Sequence, residues 1–321
     1  MANTRACLDN FQVTQPGGAA ANAGPPLFVS IVICTHNRSR DLEKYAFHSL
    51  QHVAYPHFEI VVVDDNSIDD TEAVVQKYRQ VFPSLKYVKN QKHRSLCFVR
   101  NLGVEHAEGE IIAFIDDDCF VEEDWLGQLV HVYESDREVM IVTGKVFRGT
   151  SDEEQRPPVG CNMSFRSQVF DRFRFDTNLK YSHWFDEVDL LDRLDRNGMN
   201  QAHASQAIVR HYVSESPFRP NKVGRSLNAI YFFAKRHSLL HYFGALMFFT
   251  RCALARGENQ RSWIGGHFSR LGIPRLRAAF AQEPAGRAVW ARILWVYYVI
   301  LFEIPWNASW QARRERRDVG A

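Results

Sequence analysis

Asp116, Asp117 and Asp118 stand in a row directly behind the apolar run 111–115, Ile-Ile-Ala-Phe-Ile. A short apolar run with β-branched residues reads as a buried strand. Three adjacent carboxylates at its exit repel one another, and sheet packing asks for none of them. A positive partner is therefore expected, a metal ion or a phosphate-linked ligand. A solvated acidic turn is the plainer alternative. Carboxylate oxygens suit Mg2+ or Mn2+. Two more polar runs follow apolar ones in the same way: Thr35-His36-Asn37-Arg38 behind 28–34, and Asp-Asp-Asn-Ser-Ile-Asp-Asp-Thr at 64–71 behind 58–63. Another carboxylate group, Asp186, Glu187 and Asp189, sits in the first turns of a helical pattern at 184–198. Site chemistry explains it, and so does acidic charge favoured by a helix N-terminus.

Regular elements must bring these groups together. The runs 28–34, 58–63, 85–88, 111–115 and 139–142 read as strands, with helical patterns at 41–51, 72–81, 95–105 and 123–133 between them. Asp70 or Thr71 is the expected cap of the second helix. Strand and helix alternate roughly every 25 residues, which predicts βαβ units, right-handed crossovers and a mostly parallel sheet flanked by helices, an α/β fold. Residues 160–165 return as a strand, and 207–212 form a last β-like segment with His211 near its end. Parallel strands place their carboxyl ends together, so the loops 35–38, 64–71 and 116–118 converge on one sheet edge. A nucleotide with a metal-bound diphosphate fits such a crevice. No Gly-x-Gly-x-x-Gly follows the first strand and no P-loop occurs, which argues against dinucleotide dehydrogenases and nucleoside triphosphatases.

The 321 residues allow one large domain or two of ordinary size. A net charge of +2 gives no argument for a nucleic-acid partner, and none is expected. The charge is unevenly spread, with carboxylates crowded between 64 and 195 and arginine dominant beyond 219. The six cysteines are scattered without metal-ligand spacing, so a disulfide framework or zinc site is not expected and a reducing cytoplasm fits. Residues 1–26, rich in Ala, Gly, Asn and Pro, read as a flexible arm, and 1–22 lack the apolar core of a secretory signal. No run reaches the roughly 20 apolar residues of a spanning helix. The expected division is the arm 1–26, a catalytic domain 27–216, and a helical region 217–321 with patterns at 227–256, 262–281 and 288–310. In the last of these, seven aromatic residues precede a basic cluster at 313–317. That combination suits a helix lying on the inner membrane surface, as a peripheral contact on its cytoplasmic face. The rival is a helix packed on the catalytic domain or on a second copy of the chain, giving a homo-oligomer. Arg219, Lys222, Arg225, Lys235 and Arg236 form a basic neighbourhood suited to a diphosphate or an acidic acceptor, or else a solvated helix face.

The order of these motifs resembles family 2 glycosyltransferases, inverting enzymes with a Rossmann-like GT-A fold. Val29-Ser-Ile-Val-Ile-Cys-Thr-His-Asn-Arg38 is similar to their opening strand, and Val62-Val-Asp-Asp-Asn-Ser-Ile-Asp-Asp-Thr71 to their second motif. Phe98-Val-Arg-Asn-Leu-Gly103 and 107–118 resemble the approach to the DxD motif, and 160–166 and 185–190 the acceptor-side motifs. The resemblance covers 28–212 and implies roles residue by residue. Thr35 and Asp65 look like base and ribose contacts, with Asn37, Arg38 and Asp64 on the same donor side. Arg100 is similar to a residue lying along the nucleotide sugar. Asp118 would hold the metal and Asp116 the ribose, sugar or metal, with Asp117 beside the donor. His211 would be a further metal ligand, against a purely structural histidine. The family usually reads Glu-Asp where this chain reads Asp186-Glu187, so Glu187 is the expected catalytic base and Asp186 the alternative.

The resemblance implies one-step transfer of a single sugar from a UDP- or dTDP-linked donor to a hydroxyl of a glycan or lipid-linked acceptor. A divalent cation would stabilise the departing diphosphate and a carboxylate would take the acceptor's proton. The Gln-x-x-Arg-Trp sequence of processive members is absent. The competing readings are a sugar-nucleotide hydrolase or nucleotidyltransferase on a related fold, and a non-catalytic module that binds nucleotide sugar.

Overall fold

The computed structural model describes residues 25–155, 160–180, 183, 185–212, 228, 231, 232 and 235. The chain divides into two compact units, Met1–Lys180 with Asp186–Pro217, and Tyr181–Phe185 with Phe218–Ala321.

The first unit holds one eight-stranded sheet. Its strands are β1 (Val29–Thr35), β2 (Phe58–Asp64), β3 (Leu85–Lys89), β4 (Ile111–Asp116), β5 (Cys119–Val121), β6 (Val139–Arg148), β7 (Met163–Arg166) and β8 (Asn200–His211). Their spatial order is β3-β2-β1-β4-β7-β6-β8-β5. The half β3-β2-β1-β4 is parallel throughout. Beyond β4 the sheet is mixed: β7 is antiparallel to both neighbours, β8 is parallel to β6, and β5 is antiparallel to β8.

The parallel half follows from its composition. β1, β2 and β4 are buried along nearly their whole length, as strands covered on both faces must be. Polar residues inside them are satisfied locally. Ser30 donates to Glu59 Oε1 at 2.5 Å and accepts from the Gly109 amide at 2.8 Å, while Lys86 pairs with Glu59 at 2.7 Å. A buried carboxylate without such partners would cost several kcal/mol (~3–5).

Helices connect these strands. α1 runs through Ser39–Asp41, a π-helical Leu42–Phe47 and His48–Leu50. α2 is Thr71–Tyr78, α3 Leu96–His106, α4 Trp125–Ser135, α5 Val169–Arg172 and α6 Asp186–Arg196. The Ser95 side chain caps α3 by accepting from the Phe98 amide. α3 lies so close to β1 that a Cβ on Gly103 would stand 2.4 Å from Val32 Cγ1. Neither Asp70 nor Thr71 caps α2 as expected. The Asp70 side chain makes no capping bond. Asp69 Oδ1 instead accepts from the Thr71 amide at 3.2 Å and hydroxyl at 2.6 Å, while its Oδ2 accepts from the Ser39 amide at 2.9 Å. One carboxylate thus ties the starts of α1 and α2 together.

β8 is longer than the β-like segment 207–212 read from the sequence. Between Gly144 and Lys145 its pairing jumps from Ala204 to Ile208, so a bulge breaks its alternation. Asn162 on the β7 approach fills the space. It donates to the carbonyls of Lys145 and Ala207 at 2.8 and 2.9 Å and accepts from Trp125 Nε1 at 2.9 Å.

In the second unit Asn228, Tyr231, Phe232 and Lys235 are helical and buried, at the spacing of one helix face. The Phe185 and Phe232 ring centroids lie 5.6 Å apart. The arm up to residue 24, the helical patterns beyond 235, and Arg219, Lys222, Arg225 and Arg236 lie outside the described residues. No helix among the described residues is long and apolar enough to cross a membrane.

Candidate active site

The exits of β1, β2 and β4 meet at one edge, as parallel order requires. Thr35 Oγ1 donates to Asp117 Oδ2 at 2.8 Å, joining the first loop to the third. Asn37, with φ of 54°, joins the first to the second: its Oδ1 accepts from the Ile68 amide at 2.7 Å and its own amide donates to Ser67 Oγ at 2.9 Å. Asp64 is fully buried and turned inward, accepting from the Ser67 amide at 2.8 Å and the Tyr87 hydroxyl at 2.5 Å. It shapes the loop. Asp65 faces a loop the sequence reading did not single out, the exit of β3. It accepts from Asn90 Nδ2 at 2.7 Å and from the Arg94 amide at 2.9 Å, with His93 Nδ1 at 2.7 Å. Burial works against its charge, but these donors outweigh it and hold its carboxyl below the usual range. His36 stacks on His93, centroids 4.1 Å apart. The strand-exit rule that identified the other loops applies equally to β3.

The three consecutive carboxylates diverge, each toward a different positive group. Asp116 lies 3.6 Å from Arg100 Nη2. Asp117 Oδ1 lies 3.3 Å from Arg38 Nε. Asp118 Oδ2 accepts from Arg38 Nη2, and its Oδ1 lies 3.1 Å from His211 Nε2. Burial, opposed by Arg38 and reinforced by the Asp118 charge, pushes Asp117 up to about 8. Burial also acts against charge on Asp118, yet His211 and Arg38 hold it below the usual range. His211 rises to about 10, the Asp118 carboxylate outweighing the desolvation of its ring.

His211 reaches this place through register. β5 pairs antiparallel with β8 and sets Cys119 opposite His211, and the Tyr212 amide donates to the Asp118 carbonyl at 2.8 Å. Donor atoms of Asp116, Asp118, Cys119 and His211 all fall within 4.8 Å of one another. Asp118 Oδ1 and His211 Nδ1 are buried yet lack a directed hydrogen bond; the 3.1 Å Asp118–His211 approach is an ion-pair distance only. Two carboxylates and an imidazole with such atoms to spare fit a divalent cation such as Mn2+ or Mg2+. Cys119 is a poorer ligand for these ions, because burial and a hydrogen bond with Cys161 hold its thiol protonated.

Arg100 connects this group to the second set of carboxylates. Its guanidinium is buried, lies 5.9 and 5.5 Å from the Phe114 and Phe175 ring centroids, and donates to the Gly160 carbonyl at 3.3 Å. One nitrogen faces Asp116 and another binds Asp186, the first residue of α6. For the guanidinium to stay where it is, residue 160 needs to be glycine, since a Cβ there would stand 2.7 Å from Arg100 Nη2. No sequence signal marks that requirement. Glu187, next to Asp186, is partly buried, and among the described residues no cation lies within ion-pair distance of it. Burial and the adjacent Asp186 carboxylate push its carboxyl well above the usual range. The structure therefore brings together Thr35, Arg38, Asp116, Asp117, Asp118 and His211, and links Asp186 to them through Arg100.

Known proteins resemble this chain in sequence and in fold. The family model described as glycosyl transferase family 2 matches residues 30–186. A glucosyl-dolichyl phosphate glucuronosyltransferase of Haloferax volcanii is 28% identical over 47% of this chain and 56% of its own length. A GalNAc(5)-diNAcBac-PP-undecaprenol beta-1,3-glucosyltransferase of Campylobacter jejuni is 40% identical over 28% of this chain and 29% of its own. The chain thus spans between about a third and a half of the length of such curated relatives. A mannosyltransferase of Pyrobaculum calidifontis, solved with GDP-Man and Mn2+, superposes with a TM-score of 0.58 at 16% identity, over 94% of this chain and 93% of that one. S. aureus TarS residues 1–349, solved with UDP-GlcNAc, gives 0.53 at 16% identity, over 85% and 81%. At such identities the likeness shows the fold alone, the GT-A arrangement.

Proposed function

We propose that this chain, whose residues 30–186 belong to glycosyl transferase family 2, transfers one sugar with inversion from a nucleotide-diphosphate sugar to a hydroxyl acceptor. The observation that carries the reading is the pairing of two differently charged carboxylate groups through Arg100. One is poised for a cation, the other for a proton.

Thr35, Asn37 and Asp65 shape the floor for base and ribose. Asp116, Asp118 and His211 would hold the divalent cation, which when bound supplies Lewis-acid stabilisation to the departing diphosphate. Asp117, held by Thr35 and Arg38, fixes the loop between them. Glu187 takes the acceptor's proton as the glycosidic bond forms. A carboxyl lifted toward neutrality is a stronger base than an ordinary one, provided it is ionised when the acceptor arrives. Asp186 is engaged by Arg100, and so positions Glu187. With a single base and no enzymic nucleophile, attack comes from the side opposite the diphosphate and configuration inverts.

A lipid-linked or glycan acceptor is supported by the relatives, two of which carry dolichyl phosphate or undecaprenol diphosphate in their names. A catalytic domain at 27–216, a helical region beyond it and peripheral attachment to a cytoplasmic membrane face are consistent with that acceptor. The test is a panel of UDP-, dTDP- and GDP-sugars, with and without Mn2+, offered with polyprenyl-linked and free glycans. Release of nucleoside diphosphate with formation of an inverted glycoside is expected. Free sugar as the main product in the presence of acceptor overturns transfer in favour of hydrolysis. Absence of nucleotide binding, with or without metal, overturns the reading altogether.

A further inference from the structure

Arg38 stands beside the candidate cation site, on the far oxygen of Asp118. Its Nε lies 3.1 Å from Asp41 and 3.3 Å from Asp117, and its Nη2 binds Asp118 Oδ2. The other oxygen of Asp118 faces His211. Both oxygens of the central candidate ligand are therefore beside positive or hydrogen-bonding groups already. For Asp118 to bind a cation through Oδ2, Arg38 has to leave.

The two arginines of the site differ in their freedom to do so. The Arg100 side chain is 4% exposed and lies between Phe114 and Phe175. The Arg38 side chain is 26% exposed, and no ring packs on it among the described residues. Asp41, three residues on, keeps a hold on its Nε, so the guanidinium can swing about that contact while its Nη2 lets go of Asp118.

We propose that Arg38 is a tethered counter-ion: it pairs with Asp118 beside Asp117 in the absence of donor, competes with the divalent cation, and is drawn away by the donor's diphosphate. This rests on the metal site argued above. A fixed positive charge a few ångströms from an incoming dication opposes it. A diphosphate supplies that guanidinium with a new anionic partner, because arginine forks match phosphate oxygens. Metal and nucleotide then bind with positive coupling, and the coupling is reciprocal. The site would take its metal together with the donor, not before it.

The experiment measures Mn2+ binding to the whole chain by the electron paramagnetic resonance signal of free Mn2+. It is done without nucleotide and then with UDP and with GDP, for the native protein, Arg38→Met and Arg38→Lys. Without nucleotide, Arg38→Met should bind Mn2+ about tenfold tighter than the native chain, and Arg38→Lys should stay near native. A nucleotide should strengthen Mn2+ binding in the native chain, and that gain should shrink about tenfold in Arg38→Met. Arg38→Gln, uncharged but still able to donate to Asp118, carries the same expectation and covers a failure of the methionine variant to fold. Equal or weaker Mn2+ binding by the uncharged variants without nucleotide overturns the proposal while leaving the metal site standing. An undiminished nucleotide gain in them overturns the coupling. If no protein binds Mn2+ under any condition, the metal-site reading falls and the proposal with it.

Discussion

At the exit of β4 each carboxylate is met by a positive group: Asp116 by Arg100, Asp117 by Arg38, and Asp118 by Arg38 and His211. At the head of α6, Asp186 takes Arg100, and Glu187 has no cation within ion-pair distance among the described residues. The consequences for protons are opposite. Asp118 is held ionised below the usual range, whereas burial and the Asp186 charge keep a proton on Glu187 well above it. Asp117 lies between the two: it shares Arg38 with Asp118, and burial and the Asp118 charge still push it up to about 8. On the proposed function, the first cluster would exchange cations and the second a proton.

The largest effect should come from removing the proton acceptor. Glu187→Gln is expected to lower kcat about a thousandfold with nucleotide binding retained, the scale of losing a general base. If Asp186→Asn is the more damaging change and Glu187→Gln retains most activity, the roles are reversed. A second measurement needs no acceptor. Because the folded pKa of Glu187 lies above its unfolded value, the native state keeps a proton that the unfolded state loses as pH rises. Its contribution to stability therefore falls with pH from the ordinary carboxylate range (about 4.3) up to its folded pKa. Glu187→Gln should match the native melting temperature in acid and exceed it near neutrality.

Next in size is the link between the clusters. Arg100→Met removes the cation that Asp116 and Asp186 now share; the Asp186 side chain is 2% exposed, the Asp116 side chain 34%. Breaking a buried pair in this way costs about 3–5 kcal/mol, read as a drop in denaturant midpoint. Arg100 also lowers the Glu187 pKa by its charge, so the acid limb of kcat/KM should move to higher pH in the variant. Destabilisation with an unmoved limb would show that Arg100 only supports the fold. Gly160→Ala tests the same link more gently. Its added methyl meets a guanidinium already held by two carboxylates, and overpacking of this kind costs about 1–3 kcal/mol. A neutral result would mean that the loop at Gly160 yields and does not anchor Arg100.

The two halves of the sheet were unequally legible for a physical reason. β1, β2 and β4 are parallel strands buried on both faces, so unbroken apolar runs marked them and their polar exits had to coincide. Thr35, Asp65 and Asp116 to Asp118 could be read as one edge from that alone. Across β4 the signals weaken. β5 has three residues, too few to show a period, and the bulge in β8 breaks its alternation just before His211. That His211 meets Asp118 depends on the register of these two strands, which no local pattern states. Gly160 and Cys161 matter for what lies beside them, Arg100 and Cys119, and contact across elements leaves no trace in spacing.

The smallest expected effect concerns the loop after β2, where sequence pattern named the wrong residue. Asp70 stands in the N-cap position of α2 and makes no capping bond; the neighbouring Asp69 accepts from the Thr71 amide and hydroxyl instead. Asp69 also accepts from the Ser39 amide at the start of α1, so one side chain serves two helix ends. These donors hold its carboxyl below the usual range even against its partial burial. Asp69→Ala should therefore cost about 1–2 kcal/mol, at the upper end for a single cap, and Asp70→Ala should be nearly neutral. The Asp69 contribution is present above its unfolded pKa and is lost as pH falls through the lower folded one, so the gap between native and Asp69→Ala should close in acid. Because both helix starts flank the loops carrying Asn37 and Asp65, Asp69→Ala should also weaken nucleotide binding by a small factor without touching the Mn2+ affinity measured alone. Equal costs for the two substitutions would mean that the cap lies at Asp70 after all, and that the donor edge is held by backbone turns alone.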